Sequence, residues 1–394
     1  MDVVEMRRRN LIRDDAYPCT SASGMKLDDL SHHKTLEKLV ETMGYDELRA
    51  EQQRLRDQGI YRGIGLVSMV EVTNPSPMFY GAGGAAIASQ DGATVRLDAG
   101  GALHISSSIT EQGQGTNAIM AQIAAGVFGV DIERVRVTTG DTATVPYGGG
   151  TWASRGAGIG GEAMLQAAYA LKQQVLDVAA VILQSEAAKL DIQAGEIVDL
   201  GTDTSRMALS DLGRIVYYRG NELPSDLKPE LVATRHYRVT DFPFVFTNGA
   251  MAAHVEVDIE TGFVKVLKFW AVEDCGRVIN PQLVDEQVRG GVVQGIGGAL
   301  YEECIYSEDG QMLNATMADY LVPMAAEMPD IVVEHIETPT KTSTLGAKGA
   351  GEAGTGGAPA AILNAVNDAL RPLDASLHQM PMTPERVLKA LGRI

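Results

Sequence analysis

Apolar and polar positions follow two different periods along the chain, and the change of period divides it. From Met1 to Arg62 the residues are polar and helix-compatible. His33 to Gln58 carries Leu36, Leu39, Val40, Met43 and Leu48 with no strand pattern, which predicts an N-terminal helical arm over residues 1–62. From Gly63 strand and hairpin signals take over: Ala86 to Ser89 and Thr94 to Leu97 flank Asp91-Gly92, a two-residue turn signal, and Leu103 to Ser107 continues the sheet. Ile119, Ile123 and Val127 at four-residue spacing predict a helix whose first turn Thr116 can cap. Val135-Arg136-Val137 alternates as a strand. Leu165, Ala168, Leu171, Val175, Val178 and Ile182 then mark one buried stripe of a long amphipathic helix.

The stretch Tyr217 to Lys228, with Gly220 and Pro224, is polar and predicts a lobe boundary, giving lobes at 63–222 and 223–394. The second lobe repeats the style of the first. Val255, Val257 and Ile259 lead into Glu260-Thr261-Gly262, with Phe263 to Val266 returning as hairpin partner, and Asp309-Gly310 closes another turn. Gly290 to Gly298 reads as a helix start, Ile331-Val332-Val333 as a strand, and Pro359 as the opening of a helix bearing Ile362, Leu363 and Val366. Two analogous lobes mixing sheet and helix are the expected plan.

Composition narrows the function classes. The net charge of −18 repels phosphate backbones and anionic lipid, and the one basic run, Arg7-Arg8-Arg9, reads as a solvated helix face, so neither nucleic acid nor membrane insertion is expected. No run approaches a membrane span, and Met1 to Asp15 has charge where a signal peptide needs an apolar core. Cys19, Cys275 and Cys304 form no C-x-x-C pair, which fits a reducing, cytoplasmic compartment. Glycine is in excess, 43 of 394 residues against a usual fraction of about 7%. Glycine clustered in this way lets backbone approach something closely.

Four glycine-rich patches carry the candidate chemistry. Glu111-Gln112-Gly113-Gln114-Gly115-Thr116 stands at a helix start, where free amides and carboxamides can meet an anion or a heterocycle edge, or where an ordinary loop carries its glutamines by chance. Gly148 to Gly161 contains Trp152-Ala153-Ser154-Arg155-Gly156, in which Ser154 and Arg155 offer a phosphate environment at the start of the long helix; close helix–sheet packing is the competing reading. Gly290 to Gly298 surrounds Gln294, which its apolar neighbours mark as a core amide rather than a ligand contact. Lys348-Gly349-Ala350-Gly351-Glu352-Ala353-Gly354 spells G-x-G-x-x-G, but the polar stretch before it is not the strand a dinucleotide loop requires. A nicotinamide-dependent dehydrogenase is thereby the weak alternative. Glu352, a carboxylate set among small residues, can act as a general base where a ligand comes against it. His254, His335, Cys275 and Asp274 have no ligand spacing for a metal, and neither G-x-S-x-G nor H-E-x-x-H occurs.

Taken in order, Arg7 to Ile12, Gln112-Gly113-Gln114-Gly115, Gly140-Asp141-Thr142, Ala153-Ser154-Arg155, Asn280-Pro281, Gly290 to Gly295, Asp319-Tyr320-Leu321 and Lys348 to Glu352 resemble the C-terminal half of the molybdopterin-binding large subunit of the xanthine dehydrogenase and aldehyde oxidase family. The likeness covers almost the whole chain and is nearest to the carbon-monoxide-dehydrogenase type. It implies an α+β cofactor-binding fold, molybdopterin cytosine dinucleotide with molybdenum held by the pterin rather than by protein ligands, and Glu352 as catalytic base. It implies further that Gln112 to Thr116, Ala153 to Gly156, Gln294, Lys348, Gly349 and Gly351 line the cofactor, which reverses the core reading of Gln294. Trp152 is open to a substrate-facing or a packing role. A chain supplying the N-terminal half, an iron–sulfur subunit with 2Fe-2S clusters and an FAD subunit are the implied partners, with a small-molecule substrate, N-heteroaromatic first and aldehyde or carbon monoxide behind it. A non-catalytic cofactor-binding or assembly module is the other alternative. Where the family often has Ser-Arg-Ser-Thr this chain has Ser154-Arg155-Gly156-Ala157, so one or two hydroxyl contacts are missing.

Overall fold

The computed structural model of the chain describes residues 1–78, 88–240 and 244–394. In chain order it contains α1 (Val3–Asn10), two-residue strands β1 (Cys19–Thr20) and β2 (Lys26–Leu27), α2 (His32–Met43), α3 (Tyr45–Arg56), β3 (Tyr61–Thr73), β4 (Asp91–Leu97) and β5 (Leu103–Ser107). Then come α4 (Thr116–Phe128), β6 (Val135–Thr139), α5 (Gly161–Leu183), β7 (Leu190–Gln193), β8 (Glu196–Asp199), β9 (Thr204–Ala208), α6 (Leu209–Tyr218) and β10 (Val232–Tyr237). The remainder is β11 (Val245–Val257), β12 (Val264–Asp274), α7 (Pro281–Leu300), β13 (Asp330–His335), α8 (Ala353–Leu370) and α9 (Pro384–Ala390). Helices beside mixed parallel and antiparallel sheets make the chain α+β.

The chain divides into two compact units, and they are not the lobes expected in chain order at 63–222 and 223–394. One unit comprises Met1–Val72, Phe246–Thr340 and Gly349–Ile394; the other comprises Thr73–Val245 and Lys341–Lys348. The reason is sheet pairing: β3 lies beside β11 in the order β13-β12-β11-β3, so the N-terminal helices belong to the same unit as the C-terminal ones rather than to a separate arm.

In the first unit, alternation along β11 sends Ala250 and Ala252 to one face and Met251, Ala253 and Val255 to the other. The first face joins Leu36, Leu39 and Met43 of α2, with Trp270 and Val272. The second joins Val288, Val292 and Ile296 of α7 and Ala358, Ala361, Ile362 and Ala365 of α8. Burying each of the larger aliphatic side chains contributes about 1.5–3 kcal/mol. The helical stretch of the arm is broken in two at Gly44, whose φ of +62° ends α2. Arg7 is not part of a solvated face: it donates to the carbonyls of Val3 and Leu66, while Arg8 and Arg9 pair outward with Glu37 and Glu5.

The second unit holds the sheet β10-β4-β5-β6, packed by α4 and α5, and the antiparallel sheet β7-β8-β9. The hairpin expected around Asp91-Gly92 is absent. Both residues begin strand β4 and pair with Tyr237 and His236 of β10, and the turn lies instead at Asp98, which accepts from the amides of Gly100 and Ala102. Asp91 is fully buried, so a turn reading that wants it in solvent fails; Ala86 and Ile87, the far side of that expected hairpin, lie outside the described residues.

Two helix starts also differ. α7 opens at Pro281 with the Asn280 side chain accepting from Leu283, so Gly290 to Gly298 lies in its second half. α8 opens at Ala353, six residues before Pro359. Its small first turns have poor intrinsic propensity and are held by packing on α7, where a Cβ on Gly291 would stand 2.9 Å from Cα of Gly354.

Candidate functional site

In the second unit the first glycine patch folds around a residue that the motif reading passed over. The Glu111 carboxylate accepts from the amides of Gln112 (3.1 Å), Gly113 (2.8 Å), Gly115 (3.1 Å) and Asn117 (2.8 Å). Burial works to raise its pKa, and these amides hold it below the usual carboxylate value. Thr116 is therefore not the cap; it is the first residue of α4, and its hydroxyl accepts from Gln114. The Gln114 amide nitrogen also donates to the Thr110 carbonyl, and its oxygen accepts from the Gln112 amide at 2.6 Å. Gln112 is exposed. Glu111→Ala is expected to cost about 1.5–3 kcal/mol, the usual worth of hydrogen bonds to a charged group, as a lowered Tm and faster proteolysis within 110–117.

The second patch is stitched to the first. The Thr151 hydroxyl donates to the Thr110 carbonyl (2.8 Å) and accepts from both the amide and the hydroxyl of Thr110 (3.0 Å each). The Arg155 guanidinium does not face outward as a phosphate ligand. It is fully buried, paired with the buried Asp91 carboxylate and donating to the carbonyls of Ala88 and Gln90, because the charged Asp91 on β4 needs a cation where no water reaches. Burial pushes the Asp91 carboxyl up, against the pull of Arg155 and the Ser108 hydroxyl. Trp152 is half-buried, with its ring centroid 4.6 Å from the guanidinium carbon, and donates its indole N–H to the Gly149 carbonyl. Ala153 and Ser154 both have left-handed backbone, φ of +49° and +51°. Two consecutive strained residues without the freedom of glycine persist only where surroundings over-determine them, as at ligand clamps. They lead into a widened helical turn at Gly156–Gly160, which opens α5.

Three side chains outside every motif hold the segment Lys341–Lys348 in this unit. Tyr237 donates its hydroxyl to the Thr342 carbonyl (2.7 Å). Glu162, buried at the start of α5, accepts from the Leu345 amide at 2.7 Å. Asn74 donates to the Ala347 carbonyl at 3.4 Å and fills the space beside Gly158. The segment ends at Lys348, which is buried, and the chain then enters the first unit at Gly349.

In the first unit the chain from Gly349 runs into α8, with Glu352 as the residue that caps its N-terminus. The Glu352 carbonyl accepts from the amides of Thr355 and Gly356, and its side chain is exposed. Gln287 of α7 donates to the Gly351 carbonyl at 2.6 Å, and Thr355 donates to the Gly291 carbonyl at 3.1 Å, so the turn carrying Glu352 is fixed from α7 on both sides. Gln294 is no core amide. It is exposed, 3.1 Å from the Thr355 hydroxyl, between the exposed Gly290 and Gly298 one turn away on each side. A Cβ on either glycine would meet nothing within 4 Å. Gly291 and Gly295 of α7 thus pack on α8, while Gly290 and Gly298 leave a bare stripe of backbone around one carboxamide.

Residues 341–348 form no strand before Gly349, so the G-x-G-x-x-G reading fails on its own requirement. Among the described residues no three His, Cys, Asp or Glu side chains gather as metal ligands. His335 is bonded to Asp285 (2.6 Å), Cys275 is buried, and His254 is buried on β11, where desolvation and then Arg62 depress its pKa. Asp274 accepts from Ser31 and from the amides of Gly276 and Thr338. In the second unit the exposed Gln112 carboxamide and the strained loop, with Arg155 and Lys348 buried, and in the first unit the exposed Gln294 carboxamide, bare glycine backbone and the exposed Glu352 carboxylate, each suit a heterocycle with hydrogen-bonding edges better than an isolated phosphate.

Comparison with known proteins agrees with this donor set. The family model of a molybdopterin cofactor-binding domain matches residues 38–329. The chain is 39% identical over 386 residues to the nicotine 6-hydroxylase large subunit of Paenarthrobacter nicotinovorans, covering 98% of this chain and 47% of that one. It is 32% identical to the carbon monoxide dehydrogenase large chain of Hydrogenophaga pseudoflava, covering 99% and 48%. The crystal structure of quinoline 2-oxidoreductase from Pseudomonas putida 86 superposes with a TM-score of 0.91 at 35% identity, over 99% of this chain and 49% of that chain. The chain spans about half the length of the curated relatives it matches.

Proposed function

Because the chain belongs to the molybdopterin cofactor-binding family, we propose that it forms the C-terminal half of the cofactor-binding large subunit of a molybdenum hydroxylase, with Glu352 as its general base. The observation that carries this reading is the Glu352 turn: an exposed carboxylate at the head of α8, fixed through Gln287 and Thr355 to α7. When bound, the molybdenum cofactor supplies the two-electron redox chemistry that places a water-derived oxygen on an electron-poor carbon. Glu352 takes the proton released from that oxygen as the new bond forms, at its carboxylate Oε atoms. Gln294 and the bare backbone of Gly290 and Gly298 offer hydrogen bonds and close approach to the cofactor. Gln112, Gly113, Gln114, Gly115 and Thr116, with the backbone of Ala153 to Gly156, are the other residues that the family likeness assigns to cofactor binding. Lys348, Gly349 and Gly351 set the path of the chain into the base-bearing turn.

The nicotine 6-hydroxylase and quinoline 2-oxidoreductase likenesses support an N-heteroaromatic substrate ahead of an aldehyde or carbon monoxide. The other half of the subunit, an iron–sulfur subunit with 2Fe-2S clusters and an FAD subunit complete the enzyme in the cytoplasm. Native purification of the complex tests the reading. Molybdenum in near-stoichiometric amount, cytosine nucleotide released on acid hydrolysis and companion chains of these three kinds by mass spectrometry are the expected outcome. A pure chain carrying bound nicotinamide nucleotide and no molybdenum would overturn it.

A further inference from the structure

Between Arg289 and Lys341 the chain carries no Lys or Arg, and residues 301–330 hold seven Asp or Glu. The same stretch is apolar on its outside. Of the 23 large hydrophobic side chains exposed among the described residues, seven lie between Ile305 and Met324, about one-twentieth of the chain. They are held out by built structure. Leu313 donates its amide to the Ile305 carbonyl (2.7 Å), Ser307 donates its amide to the Gln311 carbonyl (2.9 Å), Tyr306 and Met312 are antiparallel partners, and Gly310 takes the turn with φ of +83°. The buried Asn314 closes the base, accepting from the Ile305 amide (3.0 Å) and donating to the Glu303 carbonyl (2.6 Å). In such a hairpin opposite residues share a face and neighbours alternate, so Ile305 and Leu313 lie on one face and Tyr306 and Met312 on the other. Both faces are apolar, whereas a hairpin left in water keeps one polar. Beyond it the Thr316 hydroxyl donates to Asp319 (2.7 Å), the Tyr320 hydroxyl donates to Glu302 (2.7 Å), and Pro323 sits 2.8 Å from where a Cβ on Gly297 of α7 would stand. Met317, Leu321 and Met324 are left 81%, 61% and 68% exposed. The motif Asp319-Tyr320-Leu321 thus spends its polar members on local bonds and turns its leucine out.

We propose that the hairpin and turn of residues 305–324 are the surface on which the other half of the large subunit packs, through an apolar groove rimmed with Lys or Arg. The inference rests on the reading of the chain as the C-terminal half of that subunit. The relatives argue for this occupant. The chain accounts for 47% of the nicotine 6-hydroxylase large subunit and 49% of the quinoline 2-oxidoreductase chain, so about as much polypeptide again remains to be packed. A hairpin apolar on both faces suits insertion between elements of a partner better than flat contact with one of them. Charge argues against a second copy of this chain. An isologous contact would set the seven acids of one surface against those of the other, in a chain whose net charge is already −18. The exposed Glu308, Asp309 and Asp319 call instead for cations on the partner's rim.

The test uses the natively purified complex. With Leu321 replaced by the photo-cross-linking residue p-benzoylphenylalanine, irradiation is expected to join this chain to peptides of the other half of the large subunit. Met317 and Met324 are expected to resist peroxide in the complex and to lose that protection when it is unfolded in guanidinium. Leu313→Glu and Leu321→Glu are each expected to weaken retention of the other half by about tenfold or more, the usual cost of spoiling a central interface contact. A cross-link to a second copy of this chain or to an iron–sulfur or FAD chain would overturn the proposal, as would no cross-link at all. Methionines oxidised at the unfolded rate, or Glu variants that keep the other half as wild type does, would overturn it too. A preparation without molybdenum or such a companion would sink the functional reading as well, whereas a molybdenum-loaded complex with the cross-link elsewhere would sink this inference alone.

Discussion

Glu352→Gln is expected to leave the fold, the molybdenum content and the cofactor content unchanged while turnover falls by about 10²–10⁴, the usual worth of a positioned general base. The side chain is exposed at the head of α8, and its hydrogen bonds to Thr355 and Gly356 are made by its backbone carbonyl, which the amide variant keeps. What disappears is a carboxylate able to take a proton. A loss confined to kcat and kcat/KM, with metal content and Tm at wild-type values, identifies an interaction made in the transition state. Turnover near wild type would remove Glu352 from the chemistry. Gln287→Ala provides the intermediate case: it frees the Gly351 carbonyl without touching the carboxylate, so a smaller loss of kcat is expected.

Arg155→Leu or Asp91→Leu alone is expected to destabilise the protein by about 3–5 kcal/mol, since each leaves its partner buried without its counter-charge. The pair is fully buried, and Asp91 also accepts from Ser108 (2.7 Å) and the Gly149 amide (3.1 Å). Its loss therefore releases the loop carrying Trp152, Ala153 and Ser154, and cofactor retention is expected to fall with Tm. Replacing both residues by apolar ones of similar volume is expected to recover part of the stability without recovering the cofactor. Thermal melts of the two single variants and the double variant, with molybdenum analysis of each, check both statements. Additive losses in the double variant would mean that the two side chains do not act as a pair.

The helices and strands with long, regular periods were legible: α5 from its apolar stripe, the β11–β12 hairpin from Glu260-Thr261-Gly262, and β5, β6 and β13 from their alternation. The misplaced helix starts share a cause. The glycines in the first turns of α8 and the second half of α7 give those turns weak propensity of their own, and it is the close approach of the two helices that makes them helical. The Asp91-Gly92 turn signal failed because a buried counter-charge 64 residues away reversed the solvent preference of Asp91. Order among the glycine patches pointed to the candidate residues, but it could not separate those that touch a ligand from those that hold the loops. Arg155 turns inward and Gln294 turns outward against their sequence neighbourhoods. Glu111, Glu162, Asn74 and Tyr237 were not legible, since a single polar residue carries no period. A faint signal existed for Glu162, an acid at the head of an otherwise apolar stripe.

The excursion of residues 341–348 into the second unit, between Tyr237, Glu162 and Asn74, fixes an order of events during synthesis. By the time the ribosome has made residue 245, most of that unit has left it and can close around the Glu111 loop. The other unit must wait for its two later stretches, and the turn bearing Glu352 emerges only after Lys348. A nascent chain thus owns a finished glutamine loop well before it owns the turn that carries Glu352.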